Sequence, residues 1–541
     1  MPTLQFKGKN IIWNHHLSIP YHTLEEVSKL NFRADKSDGN LIIEGDNLLA
    51  LKALLPQYAG KIKCICIDPP YNTGNEGWVY DDKVNSPLIK EWLGKEVGKD
   101  DLTRHDKWLC MMTPRLRLLR DLLDDDGVIF VNIENNEQHH LRNLMNEIFG
   151  EDNFVGTLIW RKKEGGGQAD QYFATEHEYI HVYQKTSLFK WLDEVIDVSE
   201  SSFKKEDKEG KFNIVKLAKW GNTARREDRP KMYFPISAPD GKKVFPIAPD
   251  GSDGRWRVGK QRMSYLIEND LVYFEKKEGR WIAYEKIYYT DEMIKVIKER
   301  SILYDIATTA DASKELTELF GKKDVFENPK PLELIKFFIQ YTTGREAIII
   351  DSFAGSGTTM RAVMDLNKED GGNRKCIMVQ MTESTEKEPK KNICKDITRE
   401  RVKRAIEKYG YKSGFKYLRV GDPIDAETML SGTLPTYKQF AKYVYYLCTG
   451  GYLQDESSID EKTYFVGMHR KDAIYLIYKK DYDTLTRLAL NLPIAERMLK
   501  DQKDKKVIVY APACFLDEEY LEAKNMEFVG IPYNLFRRDR Q

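Results

Sequence analysis

The sequence predicts an α/β fold: a doubly wound, largely parallel sheet, split by an inserted domain and followed by a smaller α/β domain. Three observations predict it. Apolar strand-like runs alternate with helix-spaced apolar residues from Leu41 to about Lys185, and again after Asn328, the pattern of a two-sided parallel sheet. Two of the runs end in turns of unusual chemistry, Asp68-Pro69-Pro70-Tyr71 and Asp351-Ser352-Phe353-Ala354-Gly355-Ser356-Gly357-Thr358-Thr359. The stretch between the two halves, 186–327, is charged and punctuated by Gly and Pro.

Residues 1–40 are polar and mixed, and read as an extension. Leu41-Ile42-Ile43 is a strand ending at Gly45-Asp46, and Leu48, Leu51 and Leu55 mark a helix. Ile62 to Ile67 is a buried strand stopped by the two prolines. Trp108 to Leu123 is a helix, Val128 to Val131 a strand, and about 136–149 a helix. The first half of the main domain is therefore 41–185. In the insert, Pro239-Asp240-Gly241 and Pro249-Asp250-Gly251 are turn signals between short elements. The second half, 328–428, has strands at Glu346–Asp351 and Lys375–Gln380 and helices at Thr358–Leu366 and about 397–408. A last domain, 429–541, has strand candidates at Ala473–Ile477 and Val507–Tyr510 and no readable motif; it reads as a partner-binding or packing domain.

The 541 residues are 41% hydrophobic, enough for several domains with sizeable cores. Lys+Arg and Asp+Glu number 85 each, so any nucleic-acid surface must be a local patch. Seven cysteines without regular spacing indicate a reducing compartment. Cys64 and Cys66 share one strand face but lack a matching Cys/His pair, so they read as core and no metal is expected. The start of the chain has no signal-peptide core and no apolar stretch is long enough for a membrane span, so a cytoplasmic protein is expected.

The prolines fix the backbone around Asp68 and push it towards an extended conformation. They hold a carboxylate, a carbonyl and an aromatic ring at the carboxyl end of a strand, where α/β sheets bind ligands. That set suits a planar amine such as a nucleobase exocyclic amine. In the second turn, Gly355 and Gly357 allow close approach of a ligand to backbone, and the amides of the following helix start point into the site. Gln380, ending the next strand, is placed for ribose hydroxyls. Met360 breaks the Gly-x-Gly-x-x-Gly spacing, which disfavours a dinucleotide-dependent oxidoreductase, and the Walker Gly-Lys-Ser/Thr is missing.

Together the Phe-x-Gly-x-Gly and Asp-Pro-Pro-Tyr turns resemble those of the amino-methyltransferases that use S-adenosyl-L-methionine. Asp-Pro-Pro-Tyr resembles the adenine-N6 version, and its place ahead of the glycine turn is similar to the β class of DNA methyltransferases, whose insert is the target-recognition domain. Gly45-Asp46-Asn47-Leu48, Pro69-Pro70-Tyr71-Asn72-Thr73-Gly74, His177-Glu178-Tyr179-Ile180 and Asn328-Pro329-Lys330-Pro331-Leu332 fit the same pattern. Val379-Gln380-Met381 and the C-terminal extension are similar to modification subunits of type III restriction-modification systems.

The resemblance implies a Rossmann-like methyltransferase domain. Asp46, Asp68, Lys330, Asp351, Phe353, Gly355, Gly357, Thr358 and Gln380 would hold the cofactor. Asp68 and the Pro69 carbonyl would accept the amine hydrogens of a flipped-out adenine, with Pro70 rigidifying the turn and Tyr71 stacking on the base. Double-stranded DNA is the implied partner, with a separate helicase-nuclease subunit and a homodimer as further options. A bacterial, nucleoid-associated location follows. A solitary DNA methyltransferase or an RNA adenine methyltransferase has the same chemistry. DNA contacts are expected from Trp220, Arg225, Arg226, Arg229 and Lys231, from Arg255, Trp256, Arg257, Lys260 and Arg262, and from Arg161, Lys162 and Lys163 ahead of Gly165-Gly166-Gly167.

Overall fold

The structure is a computed structural model that describes residues 3–72, 104–165, 172–197, 199–290, 294–383 and 390–531. Thr73, Gly74, Gly166 and Gly167 lie outside the described residues. The chain divides into two compact units, 1–192 with 300–541, and 193–299.

The first unit is organised by a ten-stranded sheet. Its strands are β1 (Tyr21–Glu26), β2 (Leu41–Glu44), β3 (Ile62–Ile67), β4 (Leu123–Ile133), β5 (Phe154–Arg161), β6 (His177–Gln184), β7 (Ile302–Leu303), β8 (Ile348–Asp351), β9 (Lys375–Gln380) and β10 (Lys416–Ile424). They lie in the order β1-β10-β2-β9-β8-β3-β4-β6-β5-β7. Six neighbours from β10 to β4 run parallel, while β1 and β6 run against them. The expected doubly wound, largely parallel α/β sheet is therefore present.

The order explains how the two turns meet. From β8 the chain passes through α6 (Thr358–Asp370) to β9 on one side; from β3 it passes through α2 (Arg104–Leu122) to β4 on the other. Strands β3 and β8 are neighbours, with Ile349 opposite Cys64 and Ile350 opposite Ile65. The winding reverses between them, and their carboxyl ends open a crevice at the topological switch point. Continuous apolar runs such as Ile62–Ile67 suit strands covered on both faces. One face is covered by α1 (Asn47–Tyr58), α2 and α3 (Gln138–Phe149), the other by α5 (Leu332–Gln340) and α6. Helix α4 (Thr309–Phe320) and α7 (Glu400–Tyr409) also belong to this unit.

Three expected boundaries change. The second compact unit is 193–299, so 186–192 and 300–327 pack with the sheet instead of the insert. The N-terminal 40 residues are not only an extension: β1 adds an antiparallel edge beside β10. Its outward face is polar, which hid the strand signal. The last domain shares a unit with the sheet. Its four strands, Phe465–His469, Asp472–Leu476, Lys506–Ala511 and Met526–Gly530, pair in sequence order. Helix α8 (Tyr437–Thr449) joins its core to the main one, with the Tyr443 ring 4.3 Å from that of Tyr21.

The second unit carries a four-stranded antiparallel sheet built from Lys205–Asp207, Gly210–Lys216, Val272–Lys277 and Arg280–Tyr288, and the α-helix Lys260–Glu268. Trp256, Met263 and Leu266 are buried in its core. Both expected Pro-Asp-Gly turns are present, with Gly241 and Gly251 at positive φ. No helix of the described residues is long and apolar enough to cross a membrane.

Candidate active site

The crevice encloses about 290 Å³. Asp68 to Tyr71 line one side, Asp351 and the glycine turn from Phe353 to Ser356 with Thr358 and Thr359 line another, and Phe326 to Asn328 with Lys330 closes a third. Among the expected cofactor residues, Asp68, Lys330, Asp351, Phe353, Gly355, Thr358 and Gln380 line it. Asp46 and Gly357 do not.

The glycine turn is built from local constraints. Asp351 accepts the Phe353 N–H (3.0 Å) and the Thr359 hydroxyl (2.5 Å), and burial pushes its carboxyl up to about 7. Gly357 sits at φ 83° as the N-cap of α6, and a Cβ there would lie 3.0 Å from the Thr398 carbonyl oxygen. Its role is to let the turn pack, not to face the cavity. Gln380 is committed inside the protein: its Oε1 accepts the Gly355 N–H (2.7 Å) and its Nε2 donates to Glu383 (2.9 Å). It braces the turn, where ribose contact was expected, and it brings Glu383 to the cavity wall. Asp46 accepts the Leu48 N–H (2.7 Å) as the cap of α1, faces Arg115 at 3.4 Å and lies outside the residues that line the cavity. Its neighbour Asn47 braces the glycine turn from behind, donating to the Ser352 carbonyl (2.9 Å).

The proline turn is held from below. Trp108 Nε1 donates to the Pro70 carbonyl (2.7 Å) and Asn132 Nδ2 to the Ile67 carbonyl (3.1 Å). Among the described residues nothing donates to the Pro69 carbonyl. The next residue, Asn72, is fully buried at φ 58° and donates to Glu137. Glu137 also takes His105 Nδ1 (2.6 Å) and His140 Nδ1 (2.8 Å). This is the one His/Cys/Asp/Glu group among the described residues with the spacing for a metal ion, and its contacts are those of a carboxylate accepting three hydrogen bonds.

Asp68 lies in an ionic network. Lys330 Nζ is 2.7 Å from Asp68 Oδ2, 2.9 Å from the Tyr71 hydroxyl and 3.3 Å from Glu178 Oε2. The Tyr71 hydroxyl lies 2.5 Å from Asp68 Oδ1 and 2.9 Å from Glu178 Oε2. Lys162 reaches Glu178 Oε1 at 3.2 Å and also pairs with Glu134. Burial raises the Asp68 carboxyl, opposed by Lys330 and reinforced by Glu178. Burial pushes Glu178 up as well, but Lys330 and Lys162 outweigh it and hold it below the usual range. Lys330 is itself held charged: burial opposes this and the two carboxylates overcome it. Glu178, in strand β6, had no assigned role in the sequence. Its signal was the segment His177-Glu178-Tyr179-Ile180, which fits the methyltransferase pattern without saying what the acid does. Tyr71, expected to stack, is tethered through its hydroxyl, with Lys330 Nζ 5.2 Å from its ring centroid.

The expected DNA residues separate. Trp220 is 63% exposed with Lys216 above its ring, and Arg257 and Lys260 are exposed. Arg225 and Arg226 are exposed but paired, to Asp250 (2.8 Å) and Asp253 (3.1 Å). Arg255 is buried: its guanidinium donates to the Thr223 carbonyl (2.5 Å) and hydroxyl (3.2 Å), so it serves the core. Lys162 belongs to the active-site network instead of a phosphate-contacting loop, and Arg161 binds Glu164 (2.6 Å) and the Tyr304 carbonyl (3.1 Å).

A carboxylate-bearing proline turn beside a glycine turn, at neighbouring strand ends of a doubly wound sheet, defines an amino-methyltransferase class site. The N6_N4_Mtase family model, described as DNA methylase, matches residues 62–407, which contain both turns and the insert. The chain belongs to this family and is a DNA methyltransferase that uses S-adenosyl-L-methionine. It is 34% identical over 470 residues to the type III restriction-modification enzyme EcoPI Mod subunit of Escherichia phage P1, covering 78% of this chain and 72% of that one. It is 33% identical over 371 residues to the type II methyltransferase M.KpnI of Klebsiella pneumoniae, covering 66% of this chain and 84% of that one. Among solved structures, the M1.HpyAVI-SAM complex aligns at 13% identity and a TM-score of 0.27, covering 63% of this chain and 93% of that one.

Proposed function

We propose that this chain methylates the N6 amine of adenine in double-stranded DNA, as the modification subunit of a type III restriction-modification system. The observation that carries the reading is the shared crevice: Asp68 and Pro69, whose carbonyl takes no donor among the described residues, line the same cavity as the glycine turn.

The cavity's donor set fits the cofactor. Backbone amides at the start of α6 would suit an anionic group of the cofactor, and the acids Asp68, Asp351 and Glu383 would suit its sulfonium and ammonium. Phe353, Gly355, Thr358 and Lys330 would line its seat. When bound, S-adenosyl-L-methionine supplies an electrophilic methyl group. The protein's own part is to prepare the nitrogen. The adenine amine is a poor nucleophile because its lone pair is delocalised into the ring. Asp68 and the Pro69 carbonyl accept its two N–H bonds, favour the pyramidal amine and so localise the lone pair, an interaction strongest in the transition state. Asp68 also receives the proton that the nitrogen gives up. The target atom is unreachable in a duplex, so the base is flipped out. Exposed Trp220, Arg225, Arg226, Arg257 and Lys260 of the second unit supply DNA contacts. The restriction subunit is a separate chain, and a homodimer gives two such reading units.

Nucleoside mass spectrometry of DNA treated with the protein and the cofactor tests the chemistry: N6-methyladenine is expected, and N4-methylcytosine alone would overturn the base assignment. Competition with RNA of the same sequence separates the two polymers. Light scattering reports the oligomeric state. ATP-dependent cleavage on adding a helicase-nuclease subunit encoded beside it tests the system.

A further inference from the structure

Both oxygens of Asp68 are already engaged, Oδ1 by the Tyr71 hydroxyl and Oδ2 by the Lys330 ammonium. An ammonium 2.7 Å away weakens a carboxylate as a hydrogen-bond acceptor, because it draws charge from the same lone pairs the amine needs. Lys330 is not held by Asp68 alone. The same nitrogen is 3.3 Å from Glu178 Oε2, and Glu178 is only 5% exposed, whereas the Asp68 side chain is 31% exposed. The buried carboxylate is thus the fixed partner and the cavity-facing one the exchangeable partner.

We propose that Glu178 is a positioning residue for methyl transfer: it competes with Asp68 for the Lys330 ammonium and takes it over when the target amine arrives, leaving Asp68 a full acceptor. The inference rests on the reading of Asp68 as the amine acceptor. The charged and titratable groups around Asp68 come from four elements: Tyr71 on its own turn, Lys330 before α5, Glu178 on β6 with Lys162 and Glu134 behind it, and Asp351 at the end of β8. Tyr71 supports the exchange, since its hydroxyl touches both carboxylates and has one proton to give. Lys162 keeps Glu178 ionised, so it stays able to receive the ammonium.

The test is Glu178→Gln in the full chain, with single-turnover methylation at saturating cofactor and DNA. The rate is expected to fall by up to about 100-fold, the cost of misplacing a group at the reacting centre. Cofactor and DNA dissociation constants are expected to hold within about twofold. The acidic limb of the pH-rate profile should move to lower pH, because a negative neighbour of Asp68 is gone. Lys330→Met on top of Glu178→Gln should recover part of the rate, since the ammonium no longer covers Asp68. An unchanged rate, an unmoved limb or a double variant as slow as the product of the single losses would each overturn the proposal. If Glu178→Gln fails to fold by thermal melting, Glu178→Asp keeps the charge and withdraws it from Lys330, and a smaller loss of rate with unchanged cofactor and DNA dissociation constants is expected, while an unchanged rate overturns the proposal. Asp68→Asn is run beside it: activity retained there sinks the amine-acceptor reading itself, while a dead Asp68→Asn with a normal Glu178→Gln sinks only the role of Glu178.

Discussion

The sheet edge and the second unit use the same charged residue types to opposite ends. At the edge, Lys330, Lys162, Glu178 and Asp68 are drawn into one mostly buried network, because the carboxyl ends of β3 and β5, the amino end of antiparallel β6 and the segment before α5 meet there. In 193–299, neighbours two positions apart part company: Arg255 is buried against Thr223 while Arg257 faces outward. The difference teaches that a charged residue's role is set by the backbone that carries it. Where register is imposed by neighbouring strands, ionic groups converge and perturb one another. Where short strands and turns dominate, they sort singly into core and surface.

The largest expected effect is at the edge. Asp68→Ala should lower methyl transfer by at least about 100-fold, with cofactor binding by calorimetry little changed. Activity near wild type in a tritiated-methyl assay would break the contrast, since the converged network would then be structural only.

The buried acid of the same edge gives the next prediction. Asp351 titrates near 7 when folded against 3.8 for its ordinary value, so the folded state holds its proton more tightly. Its contribution is fully present below the unfolded value and lost as pH rises through the folded one. Stability from this group should therefore decline between about pH 4 and 7, by an upper bound of about 4 kcal/mol. Asp351→Asn removes the titration, and melting curves across that window should lose this slope. A variant that keeps the full wild-type slope would place the titration elsewhere.

In the second unit the paired test is Arg255→Ala against Arg257→Ala. Loss of Arg255 leaves buried acceptors unpaired and should cost about 2–3 kcal/mol by denaturant titration. Loss of Arg257 should leave stability unchanged and lower the salt slope of DNA binding by about one. Equal effects on both readouts would erase the division between core and surface.

Much of the edge was legible because its motifs are local. A double proline after an apolar run and a glycine turn before a helix act through backbone dihedrals of the residues themselves. Helix α2, strand β9 and both Pro-Asp-Gly turns followed from the same kind of signal. What stayed hidden depends on tertiary partners. Lys162 and Arg161 are sequence neighbours of one type, yet one side chain points to Glu178 and the other to Glu164. Gln380 was placed correctly at a strand end, but its amide is consumed by Gly355 and Glu383, a contact that no periodicity reports. Strand β1 escaped notice because an edge strand with one wet face needs few apolar residues.

The pairing of β3 with β8 has a consequence for how the molecule comes into being. Asp68 and Lys330 touch across 262 positions of chain, with the whole second unit synthesised between them. A ribosome therefore releases β3 long before its neighbour exists, and one long edge of exposed amides and carbonyls must wait for it. The reactive centre cannot form on a truncated nascent chain, so premature termination yields inert fragments. The same geometry makes the chain a candidate for being cut in two within 193–299, with the halves regaining activity only when they meet.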